Sequence, residues 1–307
     1  MIYPFDFKID NFISNADINE KEMMALLDFA IEIKNKKVEI KLKDKVLGLI
    51  FDKASTRTRV SFQVAMSRLG GNTIDLDPNT SQLGRGESIK DTARVLSRYF
   101  DVIAIRTFRQ SDLDEYAKWS TKPIINALTD NEHPCQALAD FMTIKEEFGF
   151  LKGLVLSYIG DGNNVSNSLI LCGAMLGVEV RLACPKGFEP NPLIIDKAKA
   201  INENSLIKIT NDPLIAAQGS NILYTDVWSS MGQEENQHFK EKKFEGYTID
   251  EKMVNQASAD SIVMHCLPAY RGKEITNEVI ESKNSRIFDQ AENRLHAQQA
   301  LLAAMLQ

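Results

Sequence analysis

The sequence contains few cysteines, and their spacing matches neither a zinc-binding motif nor a redox motif. Its 307 residues include four cysteines, at positions 135, 172, 184 and 266. No two of them form a Cys-x-x-Cys pair, which excludes a zinc knuckle and a thioredoxin-type site. We therefore expect reduced and mostly buried thiols, as in a cytoplasmic protein.

Long apolar segments and an excess of basic residues are also missing. The longest nearly apolar run, residues 169–178, is too short to cross a bilayer, and the first residues show no secretory signal pattern. The 36 Lys and Arg against 42 Asp and Glu give a net charge of −6, which argues against nucleic-acid binding. We expect a cytoplasmic globular protein of about two domains, without membrane or nucleic-acid partners.

Short runs of Val, Ile and Leu alternate with helical segments along the whole chain, and Asp17 with Glu20 fits a capping box at the first helix. This pattern predicts an α/β fold of two doubly wound parallel-sheet lobes with a cleft between them, connected by a helix over residues 136–148. The predicted strands cover residues 46–51, 73–76, 102–106, 123–128, 154–159, 178–183, 206–209, 222–226, 262–266 and 286–288. Ligands of such sheets bind at the carboxyl ends of the strands.

The strongest local motif is Phe-Asp-Lys-Ala-Ser-Thr-Arg-Thr-Arg at residues 51–59, after a predicted strand and at the start of a helix. Backbone N–H groups at a helix N-terminus attract anions. Ser55, Thr56 and Thr58 add hydroxyl donors, and Arg57 adds a planar fork that fits phosphate oxygens. The motif predicts a site for a tetrahedral dianion; the simpler alternative is a capped, solvated helix start.

Five motifs resemble those of the aspartate/ornithine carbamoyltransferase family. Residues 55–59 resemble its phosphate-binding signature, and His-Pro-Cys-Gln at 133–136 and His-Cys-Leu-Pro at 265–268 resemble two further signatures. Residues 82–88 and 226–232 resemble its ornithine branch. The resemblance implies a carbamoyl-phosphate-binding domain over residues 1–148 and an ornithine-binding domain over 149–290, with the helix 291–307 packing back on the first domain.

The donor substrate, carbamoyl phosphate, would be held by residues of several loops. By position, Arg106 could reach a phosphate or carbonyl oxygen from a strand end, His133 could polarise the carbonyl, and Gln136 could bind the carbamoyl amide. The resemblance implies that Arg294 also contacts this substrate and that Gln82 does so from an adjacent subunit of a homotrimer. The expected binding residues are Ser55, Thr56, Arg57, Thr58, Gln82, Arg106, His133, Gln136, Cys266, Leu267 and Arg294, and the expected catalytic ones are Arg57, Arg106, His133 and Cys266.

The acceptor would bind in the second lobe. Asp226 ends a strand and offers a carboxylate to an ammonium, while Ser230 and the backbone of Met231 could bind a carboxylate. The resemblance places Asn167 on ornithine. It also implies transfer of a carbamoyl group to the side-chain amine of L-ornithine, giving L-citrulline and phosphate through a tetrahedral intermediate, with no cofactor and no metal.

Other interpretations compete with this one. Gly160 to Val165 nearly matches a dinucleotide-binding Gly-x-Gly-x-x-Gly, but Val165 replaces the third glycine. Two His/Cys pairs suggest zinc but lack a closed set of four ligands. Another acceptor, such as putrescine, aspartate or a modified ornithine, and a non-catalytic phosphate sensor stay open. Ala54 and Tyr270 depart from residues common in the family.

Overall fold

The computed structural model describes residues 5–53, 55–77, 86–228 and 237–307. The chain divides into two compact units. The first comprises Met1–Met142 and Asn293–Gln307, and the second comprises Thr143–Glu292. The C-terminal residues therefore belong to the same unit as the N-terminal part of the chain.

The first unit alternates strands with helices. Its described elements are α1 (Glu20–Lys34), β1 (Val46–Phe51), α2 (Arg57–Arg68), β2 (Asn72–Leu76), α3 (Ile89–Leu96), β3 (Val102–Arg106), α4 (Gln110–Trp119) and β4 (Ile124–Leu128). Helix α5 (Pro134–Phe148) begins in this unit, and its last residues, from Thr143 onward, belong to the second unit.

The second unit repeats the alternation. Its described elements are β5 (Val155–Ile159), α6 (Asn164–Leu176), β6 (Glu179–Ala183), α7 (Pro192–Ile201), β7 (Ile207–Thr210), α8 (Pro213–Ala217), β8 (Ile222–Thr225), α9 (Gln237–Lys243), α10 (Glu251–Val254), β9 (Ile262–His265) and α11 (Asn277–Ile280). Helix α12 (Ile287–Leu306) starts here and continues into the first unit from Asn293.

Each unit contains one parallel sheet. The strand order is β2-β1-β3-β4 in the first unit and β7-β6-β5-β8-β9 in the second, and every pair of neighbouring strands is parallel. The prediction of two doubly wound parallel sheets is confirmed. The chain order reverses between β1 and β3 and between β5 and β8, and ligands of doubly wound sheets bind beside such a reversal.

Burial follows the apolar pattern of the sequence. All five residues of β3 are buried, whereas the edge strands β2 and β7 have partly or fully exposed residues. Helix α6 is buried from Val165 to Leu176, so the longest apolar run of the sequence is a core helix. None of the helices in the described ranges is long and apolar enough to cross a bilayer.

Two local predictions were wrong. The cap of α1 is Asn19, whose side chain accepts from the N–H of Glu22 while the Glu22 carboxylate accepts from the N–H of Asn19. Asp17 instead closes a short 3-10 turn onto Ser14. The predicted last strand at 286–288 is a single bridge between Val263 and Ser285, after which α12 begins at once.

Gly162, part of the segment that nearly matches a dinucleotide-binding motif, is required by the packing of the protein itself. A Cβ at this position would lie 2.3 Å from the backbone nitrogen of Pro190, and the N–H of Gly162 donates to the carbonyl of Phe188 at 2.8 Å. The glycine permits a close approach of two backbone segments within the protein. Gly48 is crowded differently, because its Cβ would lie 2.5 Å from the ring of Phe100, a side chain.

We expect Gly162→Ala and Gly48→Ala each to lower the free energy of unfolding by about 1–3 kcal/mol, as overpacking does. Phe100→Leu should restore stability to Gly48→Ala, because a smaller side chain removes the clash. Truncating Phe188 to Ala should not rescue Gly162→Ala, since the obstacle there is backbone. Urea unfolding of the two single and two double variants tests this; rescue of Gly162→Ala by the Phe188 truncation would contradict it.

Candidate functional site

In the first unit the predicted anion-binding turn lies beside the reversal of strand order. Ser55 and Thr56 follow β1, and Arg57 and Thr58 form the first residues of α2. Thr56 is the N-cap, and within the described part of the chain its side chain makes no capping hydrogen bond. The N–H groups of this first turn therefore remain available for an anion.

Arg106 ends β3, the strand next to β1. The pairing of β3 with β4 shifts by one residue between Ile105 and Arg106, because Ala127 of β4 is skipped. The Arg106 side chain is 8% exposed, and its Nη1 donates to the hydroxyl of Ser55 over 3.4 Å.

Arg294, from α12, connects the turn to α5. Its Nη2 donates to the hydroxyl of Thr58 at 3.0 Å, and its Nη1 donates to Oε1 of Gln136 at 2.5 Å. The amide nitrogen of Gln136 in turn donates to Asp140 at 2.8 Å. All four side chains are buried. These hydrogen bonds hold the guanidinium in one orientation.

His133 precedes α5 and is 5% exposed. Burial first, and then the charges of Arg294 and Arg106, hold the pKa of its imidazole well below the ordinary value of 6.5. The ring is therefore neutral at physiological pH. Burial raises the pKa of the neighbouring Cys135 thiol to about 12, so this cysteine is not a nucleophile.

In the second unit the central group is Asp226, which follows β8 at the reversal of strand order. Its side chain is largely buried, and its two oxygens have different partners. Oδ2 accepts from the amide of Asn163 at 2.8 Å, and Oδ1 accepts from the N–H of Val227 at 2.8 Å. The thiol of Cys266 donates to Oδ1 over 3.0 Å. These three hydrogen bonds orient both oxygens of the carboxylate.

Asn163 has two functions in this unit. Its Oδ1 accepts from the N–H groups of Val165 and Ser166 and so caps α6, while its Nδ2 orients Asp226. Asn167 lies one turn into α6 and is 5% exposed. The cap therefore places an amide, a carboxylate and a helix N-terminus in one small region.

His265 ends β9 and determines the backbone path that carries Cys266 and Leu267. Its Nδ1 accepts from the N–H of Leu267 at 2.9 Å, and its Nε2 contacts the buried carboxylate of Glu274 at 3.1 Å. Nδ1 therefore carries no proton, and Nε2–H donates to Glu274. Leu267 has a φ of 58° and precedes a cis peptide bond to Pro268. The ring thus supports a turn that leaves Cys266 only partly buried.

The alternative of a metal site can be tested on these contacts. Asp226, His265 and Cys266 offer ligand atoms within 4.8 Å of one another. Both ring nitrogens of His265 are already engaged, one as an acceptor and one with Glu274. A closed zinc site needs four ligands with free lone pairs, so these residues do not fit one.

The structure brings the predicted residues of the first unit together in two hydrogen-bonded groups, Ser55 with Arg106 and Arg294 with Thr58 and Gln136. The charges of both arginines act on His133. It likewise brings together Asp226 and Cys266 in the second unit. Ala54, Gln82, Ser230 and Met231 lie outside the described residues.

Sequence reasoning missed two supporting residues. Asp140 lies four positions after Gln136 in α5, a spacing that places both on one helix face and could have indicated the pair. Asn163 lies directly before α6, and it is a cap that also binds Asp226.

Two models of one protein family together match most of the chain. Residues 10–146 match the model of the aspartate/ornithine carbamoyltransferase carbamoyl-P binding domain, and residues 152–305 match that of the Asp/Orn binding domain of the same family. An ornithine carbamoyltransferase of Prochlorococcus marinus subsp. pastoris is 66% identical over 307 residues, covering 100% of both chains.

Solved structures agree. The crystal structure of ornithine carbamoyltransferase from Gloeobacter violaceus matches with a TM-score of 0.89 and 49% identity, covering 98% of this chain and 100% of that one. The ornithine carbamoyltransferase from Pyrococcus furiosus matches with a TM-score of 0.93 and 44% identity, covering 97% of each chain. With both domain models matched and relatives this similar over its whole length, the chain belongs to the aspartate/ornithine carbamoyltransferase family.

Proposed function

We propose that this protein transfers the carbamoyl group of carbamoyl phosphate to the side-chain amine of L-ornithine, giving L-citrulline and phosphate. The observation that carries the proposal is the pair of buried, oppositely charged clusters at the two strand-order reversals. One holds Arg106 and Arg294, and the other holds Asp226. They match a dianionic donor and a cationic acceptor.

The first unit binds the donor in this proposal. The N–H groups and hydroxyls of residues 55–58, with Arg57 and Arg106, hold the phosphate. Gln136 and Arg294 bind the carbamoyl group. His133, neutral because of burial and its guanidinium neighbours, donates a hydrogen bond to the carbonyl oxygen as negative charge develops there. The single N–H of a neutral imidazole is too weak an acid to give up its proton at physiological pH, so the ring acts as a hydrogen-bond donor and not as a general acid.

The second unit binds the acceptor. Asp226 attracts the α-ammonium of ornithine, and Asn167 binds its carboxylate near the N-terminus of α6. Ser230 and the backbone of Met231, predicted from the sequence, complete this part of the proposal. Cys266 and the carbonyl of Leu267 line the place where the side-chain amine meets the carbamoyl carbon.

The reaction is a direct attack. An amine with a pKa near 10.4 is only about 0.1% neutral at pH 7.4, and only the neutral form attacks. The nitrogen adds to the carbonyl carbon, and the tetrahedral intermediate expels phosphate with the bonding electrons. The leaving phosphate takes up the proton that the attacking nitrogen loses. A covalent thiol intermediate is disfavoured, since Cys266 donates to the Asp226 carboxylate and a second negative charge on sulfur would lie 3.0 Å from it. Positioning and electrostatics account for the catalysis.

We further propose a cytoplasmic homotrimer in which Gln82 completes the site of a neighbouring subunit. The exposed edge of the first sheet supports an assembly: Ile74 on β2 is 48% exposed and Val60 on α2 is 51% exposed. All four cysteines are free thiols, which supports a reducing compartment.

We expect the purified protein to form citrulline from carbamoyl phosphate and ornithine, and to use putrescine, aspartate, lysine and acetylated ornithine at least about 100-fold less well, as loss of paired polar contacts costs. Initial rates with this panel of acceptors test the proposal. Equal or higher kcat/KM with another acceptor would replace ornithine, and no turnover with any acceptor would favour a non-catalytic sensor.

The two clusters should respond separately to substitution. Arg57→Ala removes a preorganised phosphate donor and should lower kcat by about 10²–10³. Asp226→Ala removes a charged partner and should raise the KM for ornithine about 10- to 100-fold while changing the KM for carbamoyl phosphate less than about threefold. Steady-state kinetics with each substrate varied in turn provide the measurement; equal losses for both substrates in Asp226→Ala would contradict the assignment.

His133 predicts a pH dependence of stability. Its pKa is lowered in the folded state, so between that pKa and about 6.5 the unfolded chain binds one proton more. Stability therefore rises with pH up to about 6.5, by as much as about 1.4 kcal/mol per pH unit, and is lost on acidification. His133→Asn should flatten this dependence. Urea unfolding of both proteins at pH 5 and pH 7 checks it, and an unchanged slope would refute it.

A further inference from the structure

One lysine has no part in the proposed mechanism but lies between loops that carry residues of the proposed donor site. Lys53 follows β1, two positions before Ser55, and its side chain is 10% exposed. Its ammonium forms an ion pair with Asp130 and lies 4.2 Å from the ring centroid of Phe108. Asp130 is 63% exposed in its side chain. The lysine is therefore held by two groups, each from a different loop.

These contacts connect three separate strand ends. Lys53 follows β1, Phe108 follows β3 and Asp130 follows β4, and the sheet order places β3 between the other two. Strands β1 and β4 therefore share no backbone ladder. Hydrogen bonds join the neighbouring loops pairwise, from the N–H of Asp52 to Arg106 and from the N–H of Asp130 to Phe108. Lys53 reaches from the first loop to the third.

Each end of this ion pair is close in sequence to a group of the site. Ser55 is two residues after Lys53, and His133 is three residues after Asp130. Phe108 is two residues after Arg106. A shift of one loop against another would separate the phosphate donors from the imidazole, and small misplacements of this kind have large effects on rate.

We propose that Lys53 and Asp130 are positioning residues that fix the anion-binding turn of residues 55–58 against the loop of His133. This inference rests on the proposed function of that turn. Their ion pair fixes the distance between the loop after β1 and the loop after β4, and the ring of Phe108 supports the lysine side chain between them. Lys53 acts through the turn and not on the substrate.

The direction in which Asp130→Asn changes the affinity for the dianion distinguishes this role from direct binding of phosphate by Lys53. If the ammonium bound phosphate, Asp130→Asn would release it and remove a nearby negative charge, and affinity for the dianion would rise. If the pair positions the turn, the same substitution loosens the turn and affinity falls despite the favourable change of charge. Asp130 is exposed, so its replacement does not disturb the core.

The experiment uses the full chain and the variants Lys53→Met, Asp130→Asn, their combination and Lys53→Arg. We expect each of the first two to raise the KM for carbamoyl phosphate by about 5- to 30-fold, and the combination to be no worse than either alone, as for coupled residues. Lys53→Arg should restore the KM to within about threefold, because it keeps the charge and the ring contact. The KM for ornithine should stay within about twofold in all four.

Lys45 provides a matched control. It pairs with Asp101 at 3.5 Å, at the amino ends of β1 and β3, and so lies on the same strands at the opposite edge of the sheet. Lys45→Met should leave both KM values unchanged. Thermal unfolding of every variant shows whether a loss of affinity is merely a loss of fold.

Additive effects in the combined variant, a gain of affinity in Asp130→Asn, or equal changes in both KM values would each overturn the positioning role. Calorimetric binding of inorganic phosphate to the wild-type chain and to Asp130→Asn repeats the comparison without turnover. A wild-type chain that forms no citrulline would refute the proposed function, while weaker phosphate binding by Asp130→Asn would still support the pair.

Discussion

Parallel strands end at one edge of a sheet, and the chemistry of both units depends on that constraint. Where the chain order reverses, the loops of two neighbouring strands leave in opposite directions, and side chains from both can converge there. In the first unit the reversal places Ser55 beside Arg106, and in the second it places Asn163 beside Asp226. Helices α5 and α12 then add Gln136 and Arg294 to the first unit's cluster.

The hydrogen bonds within each cluster orient its charged side chains. Arg106 donates to a serine hydroxyl, and Arg294 donates to Thr58 and to the amide of Gln136. Asp226 accepts from an amide, a backbone N–H and a thiol. Burying a charge is costly, and these hydrogen bonds fix the orientation in which its field can act on an ion that arrives from solution. Some stability is thereby given up for binding.

The sequence predicted the features that depend on long patterns. Alternating apolar runs were enough to predict the two parallel sheets that the structure contains. The dense donors of residues 55–58 predict an anion site, which stays a prediction. Features decided by one or two contacts were missed: Asn19 in place of Asp17 as the cap, a single bridge at Ser285 in place of a strand, and the ion pair of Lys53. Capping residues one or two positions apart compete within a fraction of a kcal/mol, and a contact across 77 residues leaves no local pattern.

The dipeptide His265-Cys266 has contacts that differ from those its sequence suggests. Neighbouring histidine and cysteine suggest a base with its nucleophile, and such a pair requires a lone pair of the ring directed at the thiol. Here the one lone pair of the ring, on Nδ1, accepts from the N–H of Leu267, and the thiol donates to Asp226. The histidine therefore stabilises the turn, and the cysteine next to it donates a hydrogen bond to the carboxylate. Side chains at positions i and i+1 of an extended segment point in opposite directions. Two neighbouring residues of such a segment therefore face different surroundings and have different functions.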